Sequence, residues 1–222
     1  PQILVRSGIR VFMTTKISWN QYNRMPHDTF YWRGIDGTAI LTHFITTPDH
    51  ADEEDPFRYT YNGKINAASI TGIWQAYRDK SVNRELLFAY GFGDGGGGPT
   101  REMLELRRRL DAMPGMPNVP TGRADDYFAR LEERIREADQ YVHTWDGELY
   151  LELHRGTYTS QALIKRWNRK LELLYRETEW LGVTAGLLRA DAALLEADPL
   201  RAGWKIVLRH QFHDILPGSS IT

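Results

Sequence analysis

The apolar residues of this 222-residue chain change period partway along it, and that change constrains the fold most. From Ser160 onward Leu163, Ile164, Trp167, Leu171, Leu174 and Tyr175 recur every 3.6 residues, as on one face of a helix. Before that point the runs "IRVFMTT", "TFYW", "TAILTHF" and "ELLFAYGFG" are short and β-branched or aromatic, the pattern of extended segments. Helical patterns over Ile65–Asp79, Pro99–Met113 and Asp125–Ala138 separate these runs. Alternation of that kind predicts an α/β domain with parallel strands over residues 1–155. Two further periodic stretches, Val183–Glu196 and Pro199–Leu216, predict an antiparallel helical bundle over residues 156–222, with the boundary near Arg155–Thr159.

Details within the pattern sharpen it. "PQILVRSGIRVFMTT" reads as the tail of a helix, a stop at Gly8 and a strand over Ile9–Thr14, the middle of a βα unit rather than its beginning. The chain therefore reads as a piece of something longer. Pro99 suits the first turn of its helix, with Met103, Leu106 and Leu110 as a buried stripe. In the next helix Tyr127, Phe128, Leu131 and Ile135 share one face and the charged residues take the other.

Composition narrows the partners. Lys plus Arg total 28 against 29 Asp plus Glu, which gives no electrostatic case for nucleic acid or an anionic membrane and suits a neutral substrate. There is no cysteine, so disulfides and thiolate metal sites are excluded and a cytoplasmic location is mildly favoured. No apolar run approaches the roughly 20 residues that cross a bilayer.

The stretch "GFGDGGGGPT" places one carboxylate, Asp94, among six glycines. Such a segment bends sharply or approaches a ligand closely. A phosphate cradle is the first rival, since strand, glycine loop and helix start in that order hold anions. It fails on the residues, because Pro99 and Thr100 stand where a Walker loop needs Lys and then Ser or Thr. Asp94 is left with three readings: a turn carboxylate, a catalytic acid or base, and a cation ligand. The apolar flank "LLFAYGF" would raise its pKa by desolvation, as general-acid work requires.

"RHQFHDILPG" is a second candidate. His210 and His213 lie one turn apart, a weak chelating signal by itself. On a continuous helix Leu200, Trp204, Val207, Leu208 and Ile215 form one stripe, and Ile206, His210 and His213 fall nearly opposite. His213 is then either a solvated histidine near a helix C-terminus or, with Asp214, part of a site on a covered face. In "KISWNQYNRMPHDTFYWRGIDGT", Trp19, Tyr22, Phe30, Tyr31 and Trp32 crowd around Lys16, Asn20, Asp28 and Asp36, flat faces and hydrogen-bonding groups suited to a hydroxylated ring. Core packing is the plainer account for Phe30 and Tyr31, and "GIDGT" also reads as a hairpin turn.

Together, "KISWNQYNRMPHDTFYWRGIDGT", "YGFGDGGGGPT", "WDGELYLELHRGTYTSQ" and "LRHQFHDILPGSSI" resemble glycoside hydrolase family 38, the retaining α-mannosidases, and most closely their bacterial and cytosolic branch. The four stretches occur in family order across essentially the whole chain. The resemblance implies the later part of an irregular α/β barrel catalytic domain followed by an incomplete three-helix middle domain. It implies one catalytic zinc ion with His213 as its last ligand, Asp214 holding mannose hydroxyls, Asp94 as general acid/base, Lys16 contacting substrate and Trp32 lining the pocket. Other branches carry two adjacent carboxylates where this chain has Asp94 alone. The family's first zinc ligands and its nucleophile have no counterpart in these residues. A retaining mechanism needs two carboxyl groups roughly 5 Å apart, and only one is represented.

The resemblance therefore implies a parent enzyme hydrolysing terminal α-mannosides, with this piece inactive alone. The competing reading is a non-catalytic carbohydrate-binding or interaction module. A homo-oligomer is compatible with both, although barrel edges left unpaired would also promote non-native association.

Overall fold

The computed structural model describes residues 1–49, 58–138, 141–189 and 197–221. They form two compact units, Pro1–Leu153 and His154–Thr222. Among the described residues no helix is long and apolar enough to cross a membrane.

The first unit is built on a four-stranded sheet. A short helix α1 (Gln2–Arg6) ends before Gly8, whose φ of +81° lets the chain turn into β1 (Val11–Thr14). β2 (Thr29–Arg33) and β3 (Ala39–Phe44) follow, and β4 (Thr144–Asp146) returns much later. The order is β1-β3-β2-β4, with β1 and β3 parallel, β2 and β3 antiparallel, and β2 and β4 parallel. The sheet is thus mixed, not all-parallel as the alternation suggested. The reason is local: "RGIDGT" closes a hairpin in which the Asp36 carboxylate accepts the Thr38 N–H at 3.0 Å and Gly37 adopts φ +83°.

Period-two alternation distributes the apolar residues to both faces. Leu41, with Val11 and Tyr31 beside it, meets α4 (Ala124–Glu137) through Tyr127, Phe128, Leu131 and Ile135, the four residues whose spacing predicted a buried stripe. On the opposite face Phe30, Phe44 and Met25 form a second cluster with Ile17, Trp32, Trp145 and Leu149 against it. A strand covered on both faces reads as a continuous apolar run, which is why "AILTHF" is so legible.

The other helices hold the chain between these layers. α2 (Ala67–Ala76) starts where Asn66 accepts the Ser69 N–H at 2.8 Å. α3 (Arg101–Asp111) starts where Thr100 accepts the Met103 N–H at 3.2 Å, so Pro99 precedes the cap instead of occupying the first turn. Of the expected α3 stripe only Leu110 is buried, joining Ile65 and Ile70 with Phe88 and Tyr90 packed against them. "ELLFAYGFG" is extended without being a strand: its one ladder contact is a parallel bridge between Tyr90 and Gly63.

The second unit pairs α5 (Ala162–Arg189) with α6 (Ala197–His210). They run antiparallel, since Trp204 Nε1 donates to Glu179 at 2.6 Å while Gln211, further along, reaches back to Asn168 and Glu172 at 3.1 and 2.8 Å. Gly203 allows close approach: a Cβ there would meet the Tyr175 hydroxyl. A three-helix bundle is not what the described residues form. The stretch expected over Val183–Glu196 continues α5 as far as Arg189, and its remainder lies outside them. α6 also ends at His210, followed by turns; within it Leu208 is exposed, and only Val207 of the projected stripe is buried.

At the centre of the first unit His43 is wholly buried between the Thr29 and Tyr127 hydroxyls, at 2.9 and 3.2 Å. Burial holds its pKa down at about 4, against a weaker opposing pull from Asp79. As pH falls, the unfolded chain takes up this proton first. The stability from a neutral His43 is therefore present above its ordinary value of 6.5 and lost as pH falls to about 4. Asp28, pushed up to about 6 chiefly by burial, acts in the opposite sense: its contribution is present below its ordinary 3.8 and lost as pH rises through about 6.

Two stability predictions follow from this core. The difference in unfolding free energy between the native chain and His43→Gln, which cancels the Asp28 contribution, should narrow by roughly 3 kcal/mol as urea titrations move from about pH 7 to about pH 4. The second concerns Gly63, whose N–H donates to Ala89 O at 3.1 Å and whose added Cβ would lie 2.7 Å from both that oxygen and the Phe88 ring. In thermal unfolding Gly63→Ala should cost about 1–3 kcal/mol, whereas Gly98→Ala, with open space around it, should stay within about 0.5 kcal/mol.

Candidate active site

The contact between residues 61–63 and 88–94 positions the glycine loop. Asn62 Oδ1 accepts the N–H groups of Gly93 and Asp94 at 2.9 and 3.2 Å. A Cβ at Gly93 would press on that same oxygen at 3.1 Å and on the Tyr61 ring at 3.3 Å, so this glycine is needed for the approach. The loop closes through Phe92 N–H to Gly98 O at 3.3 Å, and Gly97 lies where a side chain would run into Phe92. Gly91, Gly95 and Gly96 adopt φ values of +107°, +98° and +77°, a region that side chains rarely enter.

Asp94 is exposed at the turn. The apolar flank expected to bury it is used elsewhere: Leu87 packs toward α4, Phe88 and Tyr90 pack toward Ile65, and Phe92 is itself exposed. The Asp94 carboxylate instead has two polar neighbours. Tyr61, whose ring packs against the neighbouring Gly93, is one; its phenol pKa is raised by burial and then by the Asp94 charge, so the hydroxyl stays protonated and able to donate. Lys16 is the second, with its pKa lowered by burial first and by Arg58, while Asp94 and Asp49 pull the other way.

Lys16 leaves β1 in a short 3₁₀ turn over Lys16–Ser18, begun by its own N–H donating to the Thr14 hydroxyl at 3.0 Å. Its ammonium sits 3.5 Å from the centre of the Trp19 ring and 5.0 Å from that of Tyr61, and the Arg58 guanidinium lies 4.4 Å from the Trp19 ring. Two cations against one indole ring, near a carboxylate, make a polar and aromatic patch able to hold a hydroxylated ring and exchange a proton with it. Of the predicted residues, the fold brings Lys16 and the Asp94 loop to the same Tyr61 ring, which lies 5.0 Å from the Lys16 ammonium and under Gly93. Trp32 is engaged in packing: Nε1 donates to Gly147 O at 2.7 Å and the ring lies 5.4 Å from Phe12.

Other polar residues of that stretch are structural. Asp28 is buried, accepts the Arg78 N–H at 2.8 Å and pairs with Arg24 at 3.7 Å. Asn20 accepts the Glu152 N–H at 2.6 Å, and the Glu152 carboxylate in turn accepts the N–H groups of Gln21, Tyr22 and Asn23. Sequence reasoning missed Tyr61, Asn62 and Arg58. "YNG" reads only as a turn, and nothing in the linear order ties it to a loop some thirty residues away.

In the second unit His213 and Asp214 lie in the turns after α6, not on a helix. Their side chains are 77% and 68% exposed, His213 Nε2 is 3.5 Å from Asp214 Oδ1, and the imidazole leans on Phe212 at 4.4 Å. The start of α5 holds this turn. Gln161, itself at a left-handed φ of 49°, donates to Gly218 O and Ser220 O at 3.1 and 2.7 Å, and Lys165 donates to Leu216 O at 2.8 Å. His210 Nδ1 is 2.8 Å from Ile206 O, so that nitrogen is occupied by its own helix. Among the described residues no three His, Asp or Glu side chains gather as a metal site.

Comparison with known proteins agrees with these motifs. Residues 1–148 match the family model "Glycosyl hydrolases family 38 N-terminal domain" and residues 152–222 match "Alpha mannosidase middle domain". Human alpha-mannosidase 2C1 is 39% identical over 221 residues, covering 100% of this chain and 20% of the human protein. Alpha-mannosidase G of Dictyostelium discoideum is 40% identical over 223 residues, covering 100% of this chain and 19% of that protein. An alpha-mannosidase of Saccharomyces cerevisiae is 37% identical over 227 residues. The chain thus spans about a fifth of the length of the curated relatives it matches. In fold it is similar to the crystal structure of an alpha-mannosidase from Enterococcus faecalis V583, with a TM-score of 0.56 at 20% identity over 94% of this chain and 23% of that one. With both matched regions in family order and end-to-end similarity to alpha-mannosidases, the chain belongs to glycosyl hydrolase family 38.

Proposed function

We propose that the full-length protein carrying this chain is a zinc-dependent, retaining α-mannosidase that removes terminal α-mannosides. The observation that carries the reading is similarity of 37–40% to proteins named alpha-mannosidases along the entire chain, with the Lys16 and Asp94 motifs adjacent in the fold. Asp94 takes the role of general acid/base. It is exposed enough to meet a glycosidic oxygen and is fixed at its backbone by Asn62. Lys16 and the Trp19 ring offer a cationic donor and a flat face to sugar hydroxyls. Trp32, half-buried on β2 and packed on Phe12, is assigned to the pocket wall by the family resemblance alone.

His213 and Asp214 supply one metal ligand and one hydroxyl-binding carboxylate. The His213 imidazole is exposed, and the chain's own residues fit one corner of a zinc site, not a whole one. Bound zinc would add a positive charge that orients and polarises the sugar end of the substrate. The nucleophile, which must stand roughly 5 Å from the acid/base carboxylate for retention, falls to segments of the longer protein, as do the strands that would complete a barrel around the open sheet. The lack of cysteine suits action in the cytoplasm. A non-catalytic sugar-binding module remains the second reading, favoured by the aromatic and cationic patch around Trp19.

Two outcomes are expected on an aryl α-mannoside. The full-length protein turns it over and loses activity to a chelator, while the 222-residue chain does not; turnover by the short chain overturns the division of the site proposed here. In the full-length protein Asp94→Asn should lower kcat/KM by roughly 10²–10⁴-fold, the usual scale for a general acid, and His213→Ala should deplete bound zinc measured by elemental analysis. Undiminished activity in Asp94→Asn would overturn the acid/base role of Asp94, and sugar binding without turnover by the full-length protein would favour the binding-module reading.

A further inference from the structure

We infer that Tyr61 and Asn62 form the positioning seat of the acid/base carboxylate, Asn62 fixing the backbone of Asp94 and Tyr61, its ring under the neighbouring Gly93, offering its phenol to aim the carboxyl group. This inference rests on the general-acid role proposed for Asp94.

Three observations carry it. Asp94 stands in a loop with six glycines, and its exposure means that side-chain burial does not fix it. Its orientation has to come from hydrogen bonds, and a proton donor displaced by an ångström loses much of its rate advantage. Asn62 Oδ1 accepts two consecutive N–H groups, Gly93 at 2.9 Å and Asp94 at 3.2 Å, which fixes the peptide plane from which the Asp94 side chain departs. The seat is itself anchored, because Asn62 N–H donates to the Thr60 hydroxyl at 2.9 Å and Gly63 N–H to Ala89 O at 3.1 Å.

Tyr61 adds a second constraint. Its ring lies under Gly93, 3.3 Å from where a Cβ would be, and the Asp94 charge acts on its phenol, which stays a protonated donor. A phenol donating to one carboxylate oxygen leaves the other free to carry the proton for the leaving group. Lys16, 5.0 Å from the Tyr61 ring centre, feels the charge of the same carboxylate, and among the described residues Arg58 and Asp49 act on it as well.

The test uses the full-length enzyme and two α-mannosides, one with an alkyl leaving group that needs protonation and one with a 2,4-dinitrophenyl leaving group that departs without it. For Tyr61→Phe, which keeps the ring under Gly93, and for Asn62→Ala, kcat/KM should fall about 10-fold or more on the alkyl substrate and no more than about 3-fold on the dinitrophenyl one. Equal losses on both substrates, or none, overturn the inference, since a merely structural role moves both alike. Asp94→Ala run in parallel separates the two levels. If it is leaving-group dependent while the other variants are not, only the seat fails; if it is independent of the leaving group, the acid/base role fails and the seat fails with it.

Discussion

The first unit depends on a histidine that has to stay neutral. His43 sits on β3, the strand that pairs with both β1 and β2, and its two ring nitrogens meet hydroxyls from β2 and α4. The Thr29 hydroxyl continues to Tyr77 at 2.7 Å, and the Tyr127 hydroxyl is reached by the Asn83 amide at 3.0 Å. A chain of hydrogen bonds through a water-free interior is strong when every member is satisfied and costly when one is not. Strand pairing, helix packing and the segment after α2 are therefore set by one polar thread.

That thread leads to the site. The Asp79 carboxylate accepts the Asp28 and Thr29 N–H groups at 2.6 and 2.8 Å and meets His27 at 2.9 Å, fixing the turn after α2 to the start of β2. Asn83 and Glu85 then hold the chain against α4, with Glu85 paired to Arg130 and Arg134, whose charges keep its carboxyl below the ordinary range. From Glu85 the chain runs extended through Phe88 and Tyr90 into the bridge with Gly63 and so into the glycine loop. The position of Asp94 is thus inherited from the buried core through one short segment. The exposed Arg130 and Arg134 pairs add little energy of their own, but they set the direction of that segment.

Much of this was legible in the sequence where physics is local. Period-two and period-3.6 patterns located β1 to β3 and the α4 stripe, because burial on a regular element leaves a regular trace. The hairpin at Asp36 was readable as a turn, but its consequence, an antiparallel pair inside an α/β pattern, went unweighed against the alternation. The α6 projection assigned Leu208 to the core although it is exposed within the helix, and it carried the wheel past His210, where the helix stops and residues such as His213 and Ile215 lie in turns. Asp94, Lys16 and His213 stood out because motifs carried them. Tyr61 and Asn62 did not, since a contact across thirty residues leaves no period in the chain.

The glycines divide by task. Gly91, Gly95 and Gly96 supply backbone angles, Gly93 and Gly97 supply room, and Gly98 has open space and no left-handed angle to explain it. A proton donor for a glycosidic bond has to be reachable by substrate, so it cannot be immobilised in the usual way, by packing its side chain into a core. The alternative is to immobilise the main chain beneath it and leave the carboxyl group outside. Two N–H groups held by one amide oxygen do this at a loop with little side-chain bulk, and the missing side chains let that loop settle onto Tyr61. Flexibility in the sequence and precision in the structure are compatible here because the glycines permit the close contact and Asn62 removes the freedom they bring.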